Sequence, residues 1–426
     1  MAKVKRKREV FVYADWQNIT TPQLMGVLNV ELLRGKEIFS FEYNKEWLKS
    51  KHAQILDPDL QLYPGKQFLN DGTKTNFGLF LDSSPDRWGR VLMRRREAAQ
   101  ARVEKRMENT MFETDYLLGV FDGHRMGALR FKLEEAGPFL NDNKNLASPP
   151  WTSIRELEQI SLRLEQDDVS TNPEYLKWLN MLVAPGSSLG GARPKASVVD
   201  NDNNQWIAKF PSKNDDTDMG GWELVVHKLA QKAGIDMAEA KAQKFSSKNH
   251  TFLTKRFDRK QDGTRIHFAS AMTLLGYTDG QDYTEGVSYL ELAEFITNQS
   301  VSVQEDLAQL WRRIVFSICV SNVDDHLRNH GFILTSTGWR LSPAYDINPV
   351  EFGTGLKLNI SENDNALDID LALEVIPYFR IKKEKAEVII KEVKTAVSHW
   401  KEVAKITGLS NKEIELKASA FQIALT

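Results

Sequence analysis

Cysteine is almost missing from this chain: Cys319 is the only one in 426 residues. No internal disulfide can form, and the usage fits a reducing cytosol. Cys319 sits among apolar neighbours at helical spacing, the setting of a buried core thiol rather than a nucleophile. Long apolar runs are missing too, since none reaches the roughly 18–20 residues that a membrane span requires. Net charge is nearly absent: 56 Lys and Arg stand against 58 Asp and Glu, giving −2, so there is no overall pull toward nucleic acid or membrane. The start, MAKVKRKREV, is basic but has no apolar stretch behind it, and reads as a solvated tail instead of a secretory signal or nucleic-acid arm. Internal repeats and low-complexity segments are lacking. These absences exclude a disulfide scaffold, a membrane-spanning chain and a repeat array. The expectation is a soluble cytoplasmic protein with no membrane partner.

What is present is ordinary globular composition, 41% hydrophobic and 27% charged, in a length that one core rarely serves. Two or three domains are therefore expected. Residues 9–43 read as strands, with GVLNVELLRGKEIFSFEY forming a hairpin that turns at Arg34-Gly35-Lys36. SSPDRWGRVLMRRREAAQARVEKRM reads as a helix with Ser84 as N-cap and Pro85 at the first helical position. Its Arg87, Arg90, Arg94, Arg95, Arg96, Arg102, Lys105 and Arg106 make it the best candidate for an acidic partner or DNA, although such a helix is more often a solvated face. Residues 134–150, rich in Pro, Asn, Asp and Gly, mark a boundary or long loop. Helices are expected at 151–166 and 173–183. A Gly-rich loop, short strands, a helix at 220–233 and the strand in TFLTKRFDR follow. From about residue 269 the pattern is mainly helical, broken by one hairpin at 331–342. Strands first and helices later give an α+β organisation, two lobes after an N-terminal β-rich unit.

The densest chemistry lies in SNVDDHLRNHGFIL (321–334). Leu307, Leu310, Trp311, Ile314, Val315, Ile318 and Cys319 mark the buried face of a helix that delivers this loop at its C-terminal end. The loop has three readings: a metal site, a phosphoryl-transfer loop or a charged helix end. His326 and His330 are four apart, as in a helical zinc pair, but Gly331 and the strand behind it end any helix, and no third His or Cys ligand is near. Phosphoryl transfer fits better. It needs an aspartate to accept the hydroxyl proton and an asparagine five residues later for Mg²⁺. Asp324 and Asn329 have that spacing, and Asp346 in AYDINP follows the hairpin as the second Mg²⁺ ligand. Hard cations take such oxygen ligands and leave room for phosphate oxygens. Asp325 reads as a loop-capping or solvent-facing acid. His326 completes the D-x-H-x-x-N set, holding the loop by hydrogen bonding more readily than moving protons.

A nucleotide site must lie upstream. GSSLGGARPKASVV (186–199) offers Gly186, Gly190 and Gly191 with Lys195 close behind. It is not a Walker A loop, because Ala192 follows Gly191, but its backbone N–H groups can still cradle phosphates. Lys209 ends the strand QWIAK in the setting of a lysine that pairs with α- and β-phosphates. Glu223, on the next helix, could hold Lys209 in place. LTKRFDR, with Arg256 and Phe257, would lie where the lobes join and offer its backbone to adenine. The ATP- and Mg²⁺-binding set is thus Gly190, Gly191, Ala192, Lys195, Lys209, Glu223, Arg256, Phe257, Asn329 and Asp346.

SSLGGARPK, WIAKFPS, KRFDR, NVDDHLRNHGF and AYDINP, in this order, resemble the HipA-like serine/threonine kinases, toxin components of bacterial toxin–antitoxin pairs. The resemblance spans most of the chain. It implies a bilobal protein-kinase-like fold with an extra N-terminal β-rich subdomain at 1–135, which carries the basic helix. A nucleotide-binding N-lobe part would take 151–268 and a helical C-lobe 269–426. It further implies that Asp324 is the base, that Asn329 and Asp346 bind Mg²⁺, and that Lys209 meets ATP phosphates. A serine seven residues before Lys195 would be autophosphorylated, which is Ser188 with Ser187 beside it. The added charge of roughly −1.5 to −2 would expel a phosphate-binding loop and shut off ATP binding. Implied partners are a small helix-turn-helix, HipB-like antitoxin, operator DNA reached mainly through it, and a protein substrate such as an aminoacyl-tRNA synthetase, glutamyl-type. Two other classes stay open: a small-molecule or lipid kinase of related fold, and a non-catalytic corepressor pseudokinase.

Overall fold

The computed structural model describes residues 7–144, 147, 149–166, 169–183, 191 and 193–426. The chain divides into two compact units, Met1–Ile207 with Asp258–Thr278, and Ala208–Phe257 with Asp279–Thr426. These units cut across the three expected segments, because 258–278 returns to the first unit and the chain passes from one to the other within a strand.

The first unit carries an antiparallel sheet in the order β4-β3-β2-β1-β5. Its strands are β1 (Lys7–Ala14), β2 (Gln23–Leu33), β3 (Lys36–Tyr43), β4 (Lys66–Phe68) and β5 (Leu129–Lys132). Period-two alternation puts Val10, Val12 and Ala14 on the buried face. Leu33 pairs directly with Lys36, so Arg34 and Gly35 form a two-residue turn with φ of +51° and +82°. That is the backbone a right-twisted hairpin demands, and glycine supplies half of it without strain. Beneath the sheet the Arg125 guanidinium is fully buried and donates to the carbonyls of Ser83, Leu117, Val120 and Leu140 at 2.7–3.0 Å. Burial pushes its pKa down to about 9, with Asp122 opposing the shift.

The basic helix runs Arg87–Val103, and its N-cap is Asp86 rather than the expected Ser84. The Asp86 carboxylate accepts from Gly89 N at 2.8 Å, whereas the Ser84 hydroxyl is spent on the Phe80 carbonyl at 2.8 Å. Pro85 therefore lies outside the helix. Several of its basic groups tie the unit together. Arg90 makes a bidentate pair with Glu113 at 2.6 and 2.8 Å. Arg95 donates to the Leu164 carbonyl at 2.9 Å, and beyond the helix Arg106 returns to Glu97 at 2.6 and 3.0 Å. Arg94 and Arg102 face outward. Helices Ile154–Leu164 and Tyr175–Val183 then lead to β6 (Lys195–Val199) and β7 (Gln205–Lys209), close to the expected positions.

The second unit opens with helix Met219–Lys232, capped by Asp218, and the antiparallel pair β8 (Ala240–Gln243) and β9 (Thr251–Lys255). Helices Tyr289–Gln299, Val303–Val320, Lys383–Ser398 and Trp400–Thr407 form most of the remainder. The expected hairpin is present as Gly331–Leu334 against Trp339–Leu341, with Phe332 opposite Leu341. The apolar face read for the central helix is buried throughout: Leu307, Leu310, Trp311, Ile314, Val315, Ile318 and Cys319 are all at zero exposure. Trp311 donates its indole N–H to the Ala372 carbonyl at 2.9 Å, and Trp400 stacks on Phe421 at 4.5 Å. Strand-rich and helix-rich regions thus fall in the order expected of an α+β chain. Among the described residues no helix is long and apolar enough to cross a membrane.

Candidate functional site

Lys209, the last residue of β7, has its ammonium 2.6 Å from Glu223 Oε1 and 2.7 Å from Asp346 Oδ1. Glu223 is on the second turn of helix Met219–Lys232, so a buried helix fixes one side of the lysine. Burial alone would lower the ammonium pKa, but Asp346 and then Glu223 outweigh it and hold the group above its ordinary range. This lysine is a permanent cation at any physiological pH.

Asp346 stands in the left-handed region, at φ +56°, a conformation that costs a non-glycine residue of order 1 kcal/mol and persists only where its surroundings enforce it. They do so here. Asn348 donates Nδ2 to Asp346 Oδ1 at 3.2 Å, and its backbone N–H donates to Asn322 Oδ1 at 3.1 Å. Tyr345 donates its hydroxyl to the Arg328 carbonyl at 2.8 Å. The Asp346 segment is thereby tied at two points to the loop that follows helix Val303–Val320.

That loop begins at Ser321, whose φ of +51° ends the helix. Asp324 follows as an exposed residue, and its carbonyl accepts from His326 N at 3.0 Å and from Asn329 Nδ2 at 3.1 Å. The second bond orients the Asn329 amide. Its Oδ1 is buried and accepts no hydrogen bond among the described residues. A buried, unsatisfied carbonyl oxygen is costly, and it is the donor a hard cation takes. Asn329 Oδ1 and the Asp346 carboxylate are thus oxygen donors of the kind Mg²⁺ takes, and they would hold it. No group of three or more His, Cys, Asp or Glu side chains suited to a metal occurs among the described residues.

Asp325 is not the solvent-facing acid that was one reading of it. It is buried, accepts from the Tyr289 hydroxyl at 2.5 Å and lies 3.1 Å from His330 Nε2. Burial would raise its pKa, but His330 and Tyr289 more than reverse this and hold it below the ordinary range. It therefore pins the loop from beneath. His326 contributes its backbone bond, while its ring Nδ1 is buried with no partner among the described residues.

Of the upstream residues, Lys195 is committed within the first unit. Its ammonium is 2.7 Å from Asp86 Oδ2 and donates to the Gly191 carbonyl at 3.1 Å. Arg256 is buried, and the Phe257 ring is 5.8 Å from Tyr345. Gly186, Ser187, Ser188, Gly190 and Ala192 lie outside the described residues. Sequence reasoning passed over Asn322, Asn348 and Tyr289. Asn348, two residues after Asp346 in the same turn, was the only one with a local signal.

The backbone that carries this lysine and this loop has the fold of a HipA toxin. The backbone superposes on Shewanella oneidensis HipA, solved with HipB and its operator DNA, with a TM-score of 0.64 at 17% identity, over 98% of this chain and 96% of that one. The model of the HipA-like C-terminal domain matches residues 187–400, half of the sequence, and the chain belongs to that family. A Haemophilus influenzae protein named as a candidate kinase is 27% identical over 179 residues, 38% of this chain and 52% of that protein. The serine/threonine-protein kinase toxin HipA of S. oneidensis is 26% identical over 149 residues, 30% of this chain and 34% of the toxin. The matches thus span between a third and about half the length of these curated relatives.

Proposed function

We propose that this chain is an ATP- and Mg²⁺-dependent protein serine/threonine kinase of HipA type. The observation that carries the reading is the Lys209 ammonium, held at 2.6 and 2.7 Å by Glu223 and Asp346. It joins a cation for phosphates to a carboxylate suited to Mg²⁺. Phosphoryl transfer is mostly positioning and charge stabilisation, and these residues divide that work. Lys209 orients the α- and β-phosphates. Asn329 and Asp346 would hold Mg²⁺, which neutralises charge on the transferring phosphoryl group when bound. The exposed carboxylate of Asp324 accepts the proton of an incoming hydroxyl, and its exposure suits a hydroxyl carried on a macromolecule. Asp325, Tyr289 and His330 keep the loop in place without touching the reaction. Arg256 and Phe257 border the adenine, and Lys195 anchors the end of the Gly-rich loop through Asp86.

The finer reading is autophosphorylation of Ser188, or Ser187, and phosphorylation of a translation factor such as a glutamyl-type aminoacyl-tRNA synthetase. A small helix-turn-helix, HipB-like antitoxin would neutralise the chain and carry it to operator DNA. The S. oneidensis assembly of HipA, HipB and operator DNA supports the partner class. The test is incubation with γ-labelled ATP and Mg²⁺. Label is expected on Ser188 or Ser187 and on a protein of a bacterial lysate, and Asp324→Asn should lower transfer by about 10²–10⁴-fold, the usual worth of a positioned base. A folded, nucleotide-binding chain that labels no protein refutes the reading, and transfer to a sugar or lipid alone replaces it with the small-molecule kinase.

A further inference from the structure

Phe352 lies six residues beyond Asp346. Its φ is +57°, and it is the one aromatic among the described non-glycine residues with positive φ. Its side chain is also 81% exposed. A bulky residue in the left-handed region is a genuine outlier, and an exposed phenyl ring gains nothing from folding. The flanking chain enforces both. Lys417, itself buried, donates to the Pro349 carbonyl at 3.1 Å and pairs with Glu351 at 2.8 Å. Val350 N donates to the Ser321 carbonyl at 3.1 Å. On the other side, Gly353 packs so closely on Val323 that a Cβ there would fall 2.3 Å from its Cγ1. Beyond it, Leu356 and Asn365 exchange hydrogen bonds at 2.8 and 2.6 Å. A segment tied down at 349–351 and again from 353 thus holds one ring out into solvent.

The contact between Gly353 and Val323 also fixes where the ring is. Val323 directly precedes Asp324, so the exposed phenyl and the exposed carboxylate each stand one residue from the same contact. The Glu351 carboxylate is taken by Lys417, which leaves this turn an apolar feature to present. Resting on the kinase reading above, we infer that Phe352 is a specificity-determining residue. It is an anchor for an aliphatic or aromatic side chain of the protein substrate, within a few residues of the hydroxyl that Asp324 deprotonates. Strained, over-determined residues gather at such sites, and a few anchoring side chains carry most of the energy of a contact patch.

The experiment is an oriented peptide library, followed by steady-state kinetics on the selected peptide with γ-labelled ATP. The wild type should enrich Leu, Ile, Phe or Met at one position flanking the acceptor Ser or Thr. Phe352→Gly keeps the backbone angle and removes the ring. It should raise KM for the peptide by about tenfold or more, leave KM for ATP unchanged and erase the preference, and Phe352→Leu should restore most of both. The thermal midpoint of the glycine variant should be no lower than that of the wild type, since glycine takes this φ without strain. An active wild type that selects no apolar residue, or a glycine variant with unchanged peptide KM or a clearly lowered midpoint, overturns the role of Phe352 and spares the kinase reading. A wild type that labels no peptide and no protein overturns both.

Discussion

His267 and Asp57, both buried in the first unit, should oppose each other as pH falls, and removing one should reveal the other. The His267 imidazole lies 5.4 Å from the Trp16 ring, and burial pushes its pKa down to about 3 although Asp258 pulls the other way. In the unfolded chain it titrates near 6.5. A depressed folded pKa gives stability that is complete above about 6.5 and lost as pH falls toward 3. At about 1.4 kcal/mol per pH unit the loss is about 2 kcal/mol at pH 5 and about 5 in full. Asp57 has the reverse sign. Burial raises it to about 6, even though Leu79 and Asp59 donate their backbone N–H groups to it. Its stability is complete below the ordinary carboxylate range and lost as pH rises through about 6, about 3 kcal/mol in all. Between pH 4 and 6 the two nearly cancel. In His267→Phe the Asp57 contribution stands alone. Relative to the wild type, the variant should gain about 1.4 kcal/mol for each unit that pH falls from 6 to 4. Asp57→Asn should do the opposite. Urea unfolding at half-unit steps measures the difference, and the His267 ring resonances should not shift between pH 7 and 5. Parallel stability profiles for wild type and His267→Phe, or a His267 resonance titrating near 6.5, would refute the reasoning.

Lys209→Met should abolish labelling by ATP and lower stability by about 3–5 kcal/mol, because Glu223 and Asp346 lose their shared cation; a labelling assay and a thermal melt read the two effects. Asn329→Leu removes an acceptor with no partner among the described residues together with the Nδ2 bond to the Asp324 carbonyl, so stability should fall by only about 1 kcal/mol, while transfer is lost and added Mg²⁺ fails to restore it. Arg125→Met deletes four hydrogen bonds from a fully buried guanidinium to backbone carbonyls, and should cost about 3–5 kcal/mol in urea unfolding with the proposed nucleotide site left intact. A change of under about 1 kcal/mol there would show that the carbonyls find other donors.

The proposed site was legible where its chemistry is local. Asp324 and Asn329 sit in one ten-residue loop, and the hairpin Gly331–Leu341 places Asp346 at a readable distance along the chain. The pairing of Lys209 with Glu223 followed from a strand end and the helix after it, and Glu223 is bonded to the lysine as that order suggested. Strand alternation in 9–43 and the apolar stripe of Val303–Val320 were equally local, and they fixed most of the elements. The cap of helix Arg87–Val103 was misjudged by two residues because Ser, Pro and Asp in SSPD all suit a helix start. Only the hydrogen bond of Ser84 to Phe80 removes it from contention.

Partners distant in sequence were the illegible part, and they decide what each charge does. Eight basic residues in and just after one helix suggested an outward surface, yet Arg90 and Arg106 meet Glu113 and Glu97, acids whose pairing no spacing rule announces. Lys195 seemed to belong with phosphates, but its ammonium is on Asp86, more than a hundred positions away. Asp325 shows the same principle most sharply. Beside Asp324 in sequence and of identical chemistry, it turns inward to Tyr289 and His330, while Asp324 turns outward. Asp325 is buried and held by these two partners, and on the proposed reading it steadies the backbone from which Asp324 would react. On that reading the Asp-Asp pair divides into a reacting group and its support, with the burial of Asp325 giving Asp324 a fixed position from which to accept a proton.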